Sequence, residues 1–210
     1  MFYIPDTVKS VGNWAFRDCA GLKIVNIPAS VETIGSNAFS GCKSLTSVTV
    51  PYSVTDIGAW AFSGCSSLES ITLPFVGEKA DGTGYTAFGH IFGRGPYGSE
   101  NANVPASLKY VEITDASTIA ANAFAGCNHL VEVILPTNLA VLKANTFGNC
   151  TNLSRVSFPQ GIRTVESGAF RGCSALTTIV YNGSSTQWKS VTKSSGWIDS
   201  TSNVRVTYLK

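Results

Sequence analysis

Leu45 to Ser67 reads LTSVTVPYSVTDIGAWAFSGCSS, and near-copies of it lie on both sides at a 23-residue step. Reduced to a template, each unit is Leu-x-x-φ-x-φ-Pro-x-x-φ-x-x-φ-Gly-x-x-Ala-Phe-x-Gly-Cys-x-x, where φ is aliphatic and eight positions are apolar or thiol. No single unit of this size can bury so many apolar groups, so stability must come from stacking each unit on the next. The expectation is one elongated β-rich solenoid over residues 1–180, interrupted by an insertion at 75–104 and closed by a C-terminal cap at 181–210.

The segments LKIVNIP, LTSVTVP, LESITLP, LKYVEIT, LVEVILP, LSRVSFP and LTTIVY are short, β-branched and alternating, which predicts about seven strands. Proline at the seventh position stops each strand, because it has no N–H for the next rung of a ladder. The half-repeat that follows, as in Ser53 to Phe62, suits a short outer strand or a helical turn equally. Glycine after the fourth aliphatic position (Gly12, Gly35, Gly58) gives way to Ala120, Lys143 and Glu166, so that position does not demand positive φ.

Six cysteines stand three residues after a phenylalanine and three before a leucine, as in Phe62-Cys65-Leu68. Their number admits a disulfide framework, and coils about 4.8 Å apart fall inside the Cα separation a disulfide tolerates. A column of equivalent thiols in a stack behaves as a row of small hydrophobes, so free, buried thiols are expected.

Leu68 to Leu108 spans 40 residues where one repeat is 23, and the extra length is rich in glycine and aromatic residues. That mixture predicts a structured loop standing out on the outer side, with Phe88 and Phe92 packed against the outer face. Tyr85, His90, Arg94 and Tyr97 are its candidate partner-binding residues, since long loops on rigid scaffolds often carry function. After Leu176, Val204, Val206 and Tyr208 alternate as one more strand, and Trp188 and Trp197 are large enough to cover the last open coil.

Net charge is +2 with only 13% charged residues and no basic cluster, which argues against nucleic acid. No run approaches the roughly 18 apolar residues of a membrane span, so no membrane insertion is expected. Phe2-Tyr3-Ile4-Pro5 matches the end of a repeat, so a signal segment and anchor are expected elsewhere in a longer protein. Catalytic, metal and cofactor motifs are missing from the sequence. A Cys127–His129 dyad is conceivable, but Cys127 belongs to the cysteine column and the other units lack the histidine. No catalytic residue, metal or cofactor is assigned.

If the aliphatic residues of each strand point inward, the outward pairs are Ile24/Asn26, Ser47/Thr49, Ser70/Thr72, Tyr110/Glu112, Glu132/Ile134, Arg155/Ser157 and Thr178/Val180. Tyr110, Glu112, Glu132, Ile134 and Arg155 then cluster on one face, and tyrosine and arginine are favoured interface anchors. Trp14 and Trp60 occupy the same repeat position two coils apart and form a third candidate surface, one that could stack on sugar rings.

Ile34-Gly35-Ser36-Asn37-Ala38-Phe39-Ser40-Gly41-Cys42, Ile57 to Cys65, and Val165 to Cys173 without the glycine, together with the LPFVG interruption and the YNGSSTQW tail, resemble the BspA-like leucine-rich repeats of bacterial surface proteins. The resemblance covers nearly the whole chain. It implies a curved, right-handed leucine-rich-repeat superhelix with its parallel sheet on the concave side, displayed at the cell surface or secreted. It also implies non-enzymatic recognition or adhesion, with an extracellular protein or a glycan as partner. A structural spacer presenting other domains is the competing reading, and a monomer is expected in either case.

Overall fold

The structure, a computed structural model, describes residues 1–93, 101–199 and 203–209. Its elements in the first half are β1 (Phe2–Tyr3), β2 (Ser10–Val11), β3 (Val25–Asn26), β4 (Thr33–Ile34), β5 (Ser47–Thr49), β6 (Asp56–Ile57) and β7 (Ser70–Leu73). A 3-10 helix at Phe88–Phe92 precedes β8 (Tyr110–Ile113), β9 (Glu132–Ile134), β10 (Val141–Leu142), β11 (Arg155–Phe158) and β12 (Thr164–Val165). The chain ends with β13 (Thr178–Tyr181), α1 (Ser185–Ser190), β14 (Thr192–Lys193) and β15 (Arg205–Tyr208).

Among the described residues, β5, β7, β8, β9, β11, β13 and β15 form one seven-stranded parallel sheet in that spatial order. Its register lines up an inward row across all seven strands: Val48, Ile71, Val111, Val133, Val156, Ile179 and Val206 are successive partners. A slip of one residue would turn each of these aliphatics to solvent, so burial of one face holds the register. The molecule is thus a parallel β-solenoid. The half-repeats left open by the sequence resolve as two-residue parallel strands followed by turns, in two groups, β2-β4-β6 and β10-β12-β14.

Phenylalanine runs through the core as the sequence predicts. Rings of Phe16, Phe39 and Phe62 stack with centroids 5.1 and 5.3 Å apart, and those of Phe124, Phe147 and Phe170 at 5.1 and 5.4 Å. Phe2 meets Phe16 edge-on at 5.1 Å and Trp197 meets Phe170 edge-on at 6.1 Å. The cysteines run beside this column. All six are free and five are buried, while Cys19, on the first coil, is exposed, contrary to the expectation of six buried thiols. The Cys42, Cys65, Cys150 and Cys173 thiols each donate to the carbonyl of a phenylalanine 26 residues earlier, at 3.0 to 3.3 Å.

The insertion departs from its expected position. Only part of it projects: Glu78 N–H donates to Tyr85 O at 2.7 Å, closing a surface loop between them, and Lys79 bridges Asp56 in the antiparallel sense. The chain then re-enters the stack as the 3-10 helix, whose five residues are all buried. Phe62 N–H donates to Ile91 O at 2.8 Å and Phe88 N–H to Ala123 O at 2.8 Å. These are the same coil-to-coil bonds that Phe39 makes to Ala61 O and Phe124 makes to Thr146 O. Phe88 lies 4.7 Å from Phe124 and 5.2 Å from Phe92. Phe88 and Phe92 are therefore core residues that stand in for the missing repeat phenylalanine, and they do not shield an outer face. Asn101 locks the arrangement: its carbonyl accepts from Gly89 N–H, and its amide donates to Ala123 O and Ala125 O at 3.2 and 2.9 Å.

Candidate functional site

Strand alternation turns two rows of side chains outward from the seven-stranded sheet. The first row runs Ser47, Ser70, Tyr110, Glu132, Arg155, Thr178, Arg205, and the second Thr49, Thr72, Glu112, Ile134, Ser157, Val180, Thr207. The five residues singled out by sequence therefore lie on three adjacent strands, β8, β9 and β11. Tyr110 is 51% exposed and Ile134 is 39% exposed. Between Tyr110 and the end of the row, Arg155 Nε sits 3.0 Å from Glu132 Oε1. An exposed pair of this kind stabilises a fold by only about 0.2–1 kcal/mol, so its position on the face matters more than its contribution to folding.

The patch is bounded on the β5–β7 side by small hydroxyl side chains. On the other side, Val180 is buried rather than open, and Arg205 extends the charged row. Arg205 was legible from the alternation of Val204 and Val206, which point the other way.

The insertion candidates fare differently. Tyr85 is exposed, with its ring stacked on His90 at 5.3 Å. His90 itself is buried, with Nε2 3.2 Å from Ile57 O, so its ring joins the insertion to β6 and is not open to a partner. The correction has a simple cause: His90 is in the 3-10 helix that completes the stack, where side chains turn inward. Arg94 and Tyr97 lie outside the described residues. Since the insertion runs beside β6 while Tyr110 projects from the seven-stranded sheet, the two candidate surfaces do not merge into one site.

The Cys127–His129 pair does not form a nucleophilic site. Cys127 is buried and His129 exposed, and burial pushes the Cys127 thiol up, whereas a nucleophilic cysteine needs its thiolate stabilised. Among the described residues, no group of three or more His, Cys, Asp or Glu side chains is placed to hold a metal ion. No helix there is long and apolar enough to cross a membrane.

The family model for the BspA-type leucine-rich repeat region matches six copies, over residues 1–90 and 100–195. The chain belongs to the BspA-type leucine-rich repeat family. Solved structures similar to this BspA-type chain include the leucine-rich repeat protein of T. pallidum, 23% identical, with 97% of this chain and 77% of that one covered at a TM-score of 0.45. A leucine-rich repeat protein from Eubacterium ventriosum is 26% identical over 97% of this chain and 43% of its own, at a TM-score of 0.46. A leucine-rich cell surface protein from Faecalibacterium prausnitzii is 24% identical over 91% of this chain and 62% of its own, at a TM-score of 0.36. No curated protein matches the sequence significantly.

Proposed function

We propose that this BspA-type solenoid is a non-enzymatic recognition module, displayed at the bacterial surface or secreted, that binds an extracellular protein through the outward face of the seven-stranded sheet. One observation carries the reading: an exposed tyrosine and an exposed isoleucine flank the Glu132–Arg155 pair on a face otherwise lined by small hydroxyl side chains toward β5. Aromatic and arginine anchors surrounded by weakly interacting polar groups are the usual composition of an interface centre. Tyr110 and Ile134 would supply apolar area, and Arg155, with Glu112 and Glu132, would set the orientation of the partner. The repeat stack supports this use by holding the strands at fixed spacing, which offers a preformed surface over several coils.

The test is binding of the chain to immobilised extracellular matrix and plasma proteins, with Tyr110→Ala/Arg155→Ala and Tyr85→Ala variants in parallel. Saturable binding that is lost in the sheet-face variant and kept in Tyr85→Ala is the expected result. Loss in Tyr85→Ala alone would move the interface to the insertion. A well-folded parent that binds nothing on the panel would favour a spacer that presents other parts of a longer surface protein.

A further inference from the structure

The turns that precede the repeat Ala-Phe or Thr-Phe pass through the left-handed backbone region at Trp14, Asn37, Trp60, Asn122, Asn145 and Gly168, with φ between 53 and 68°. Asparagine and glycine tolerate this conformation, and tryptophan does not take it readily. Two of the six coils nevertheless place tryptophan there, and both rings stay in solvent, Trp14 at 56% and Trp60 at 47% exposure. Burial therefore does not explain the residue that strains the turn at Trp14, and explains it only in part at Trp60, which is still about half exposed. Strain held at an exposed position is an observation from which function can be inferred.

The surroundings define what could lie on these rings. The turns Gly12–Phe16, Gly35–Phe39 and Gly58–Phe62 contain no ionisable side chain. They pack closely: a Cβ on Gly35 would fall 2.6 Å from Asn13 N, and one on Gly58 would fall 2.7 Å from Gly35 C. Gly35 thus packs its coil onto the turn of Trp14, and Gly58 packs the Trp60 coil onto the turn of Asn37, whereas the later coils carry Ala120, Lys143 and Glu166 at this position. Trp60 is also held in place. Its backbone N–H donates to His90 O at 3.1 Å, and the absence of a side chain on Gly93 lets that residue's backbone lie against the indole, since a Cβ there would meet Nε1 at 2.7 Å. Asn103 Nδ2 fixes Gly93 in turn by donating to its carbonyl at 2.8 Å.

We infer that Trp14 and Trp60 form a binding platform for an uncharged, extended β-1,4-linked polysaccharide running along the solenoid axis. The spacing is the argument. Two coils separate the rings by about 10 Å, and successive sugars of a β-1,4 chain advance by about one coil while turning over, so that every second ring presents the same face. Trp14 and Trp60 meet the first and third sugars. The coil between them carries the smaller, half-buried Asn37, whose amide offers a donor and an acceptor to the hydroxyls of the second. Aromatic rings on a preorganised backbone suit the apolar faces of sugars because little side-chain freedom is lost on binding.

The site is separate from the outward face of the sheet, and the experiment keeps them apart. Cellohexaose, xylohexaose, mannohexaose and chitohexaose are titrated against the chain, followed by calorimetry and tryptophan fluorescence, with cellobiose as a short control and maltohexaose as an α-linked one. At least one β-linked hexasaccharide should bind and perturb the fluorescence, while cellobiose and maltohexaose should not. Trp14→Asn and Trp60→Asn should each weaken binding by about tenfold or more, and Tyr110→Ala/Arg155→Ala should leave it unchanged. Trp14→Asn should unfold at an equal or higher temperature than the parent, because asparagine occupies the same turn at Asn37, Asn122 and Asn145. The inference is overturned if no β-linked hexasaccharide binds at millimolar concentration, if binding survives in the Trp14→Asn/Trp60→Asn double variant, or if Trp14→Asn is less stable than the parent, which would make that ring structural.

Discussion

Phe147 lies in the middle of the ring column, with a stacked neighbour on each side and no exposure. Truncation removes a large apolar group and leaves a cavity that the coils above and below cannot both collapse into. Phe147→Ala should therefore lower stability by about 3–5 kcal/mol, measured as a fall in the urea midpoint. Phe16→Ala should cost less, because Phe16 is only half-buried at the end of the column. The thiols beside the rings give a dependence on pH. Burial, followed by the neighbouring Cys42, pushes the Cys65 thiol up to about 12, whereas an exposed thiol in the unfolded chain ionises near 8.5. Between those values the unfolded chain has released a proton that the folded chain retains, so its contribution is complete below about pH 8.5 and falls as pH rises toward 12. Stability should drop as pH rises from about 8.5 toward 12, and the drop should be smaller in Cys65→Ala. An equal pH slope in parent and variant would contradict a buried, protonated thiol.

At the scale of elements, the 3-10 helix does the work of a repeat turn, and Asn101 connects it to the following coil. Asn101→Ala would leave Gly89 N–H and the Ala125 carbonyl without this amide partner, while Ala123 O would keep the Phe88 N–H. Each unsatisfied buried group costs about 1–3 kcal/mol. The variant should therefore be destabilised by a few kcal/mol, with hydrogen exchange accelerating first at Trp60 and Phe62, whose N–H groups bond to the helix carbonyls. Unchanged protection at those amides would mean that the helix is held without Asn101. This element also marks where sequence reading reached its limit. The inward strand row and the phenylalanine column were legible because their spacing recurs, and Tyr110, Ile134 and Arg155 were legible as outward from alternation alone. Phe88 was not, because no Gly-Cys follows it and its distance from Phe62 is not a repeat length; only the shared hydrogen bonds reveal its place. His90 was misplaced for the same reason. The strained turns at Trp14 and Trp60 could not be read either, since tryptophan is a poor predictor of positive φ.

At the scale of the molecule, stability in a stack of coils is a sum of neighbour contacts, so opening should proceed from whichever end is held least. The C-terminal end is well held. Ser184 and Gln187 form a reciprocal capping box on α1, Trp188 packs on Phe158 and Tyr181, and β15 extends the sheet beyond β13. At the N-terminal end, β1 pairs only with β3 over two residues, Phe2 and Tyr3 are exposed, and Cys19 lies open. The cysteine column records this asymmetry because it places one thiol in each of six coils. A thiol-reactive reagent under native conditions should modify Cys19 at once and Cys42 next, as the first coils separate. Cys127 and Cys150 should react last, since openings that reach them must disrupt contacts on both sides. Mass spectrometry of peptides over a time course would give the order directly. Five buried thiols reacting together at a single slow rate would show that the solenoid opens all at once, and that contacts across the insertion couple the two halves as strongly as contacts between ordinary repeats.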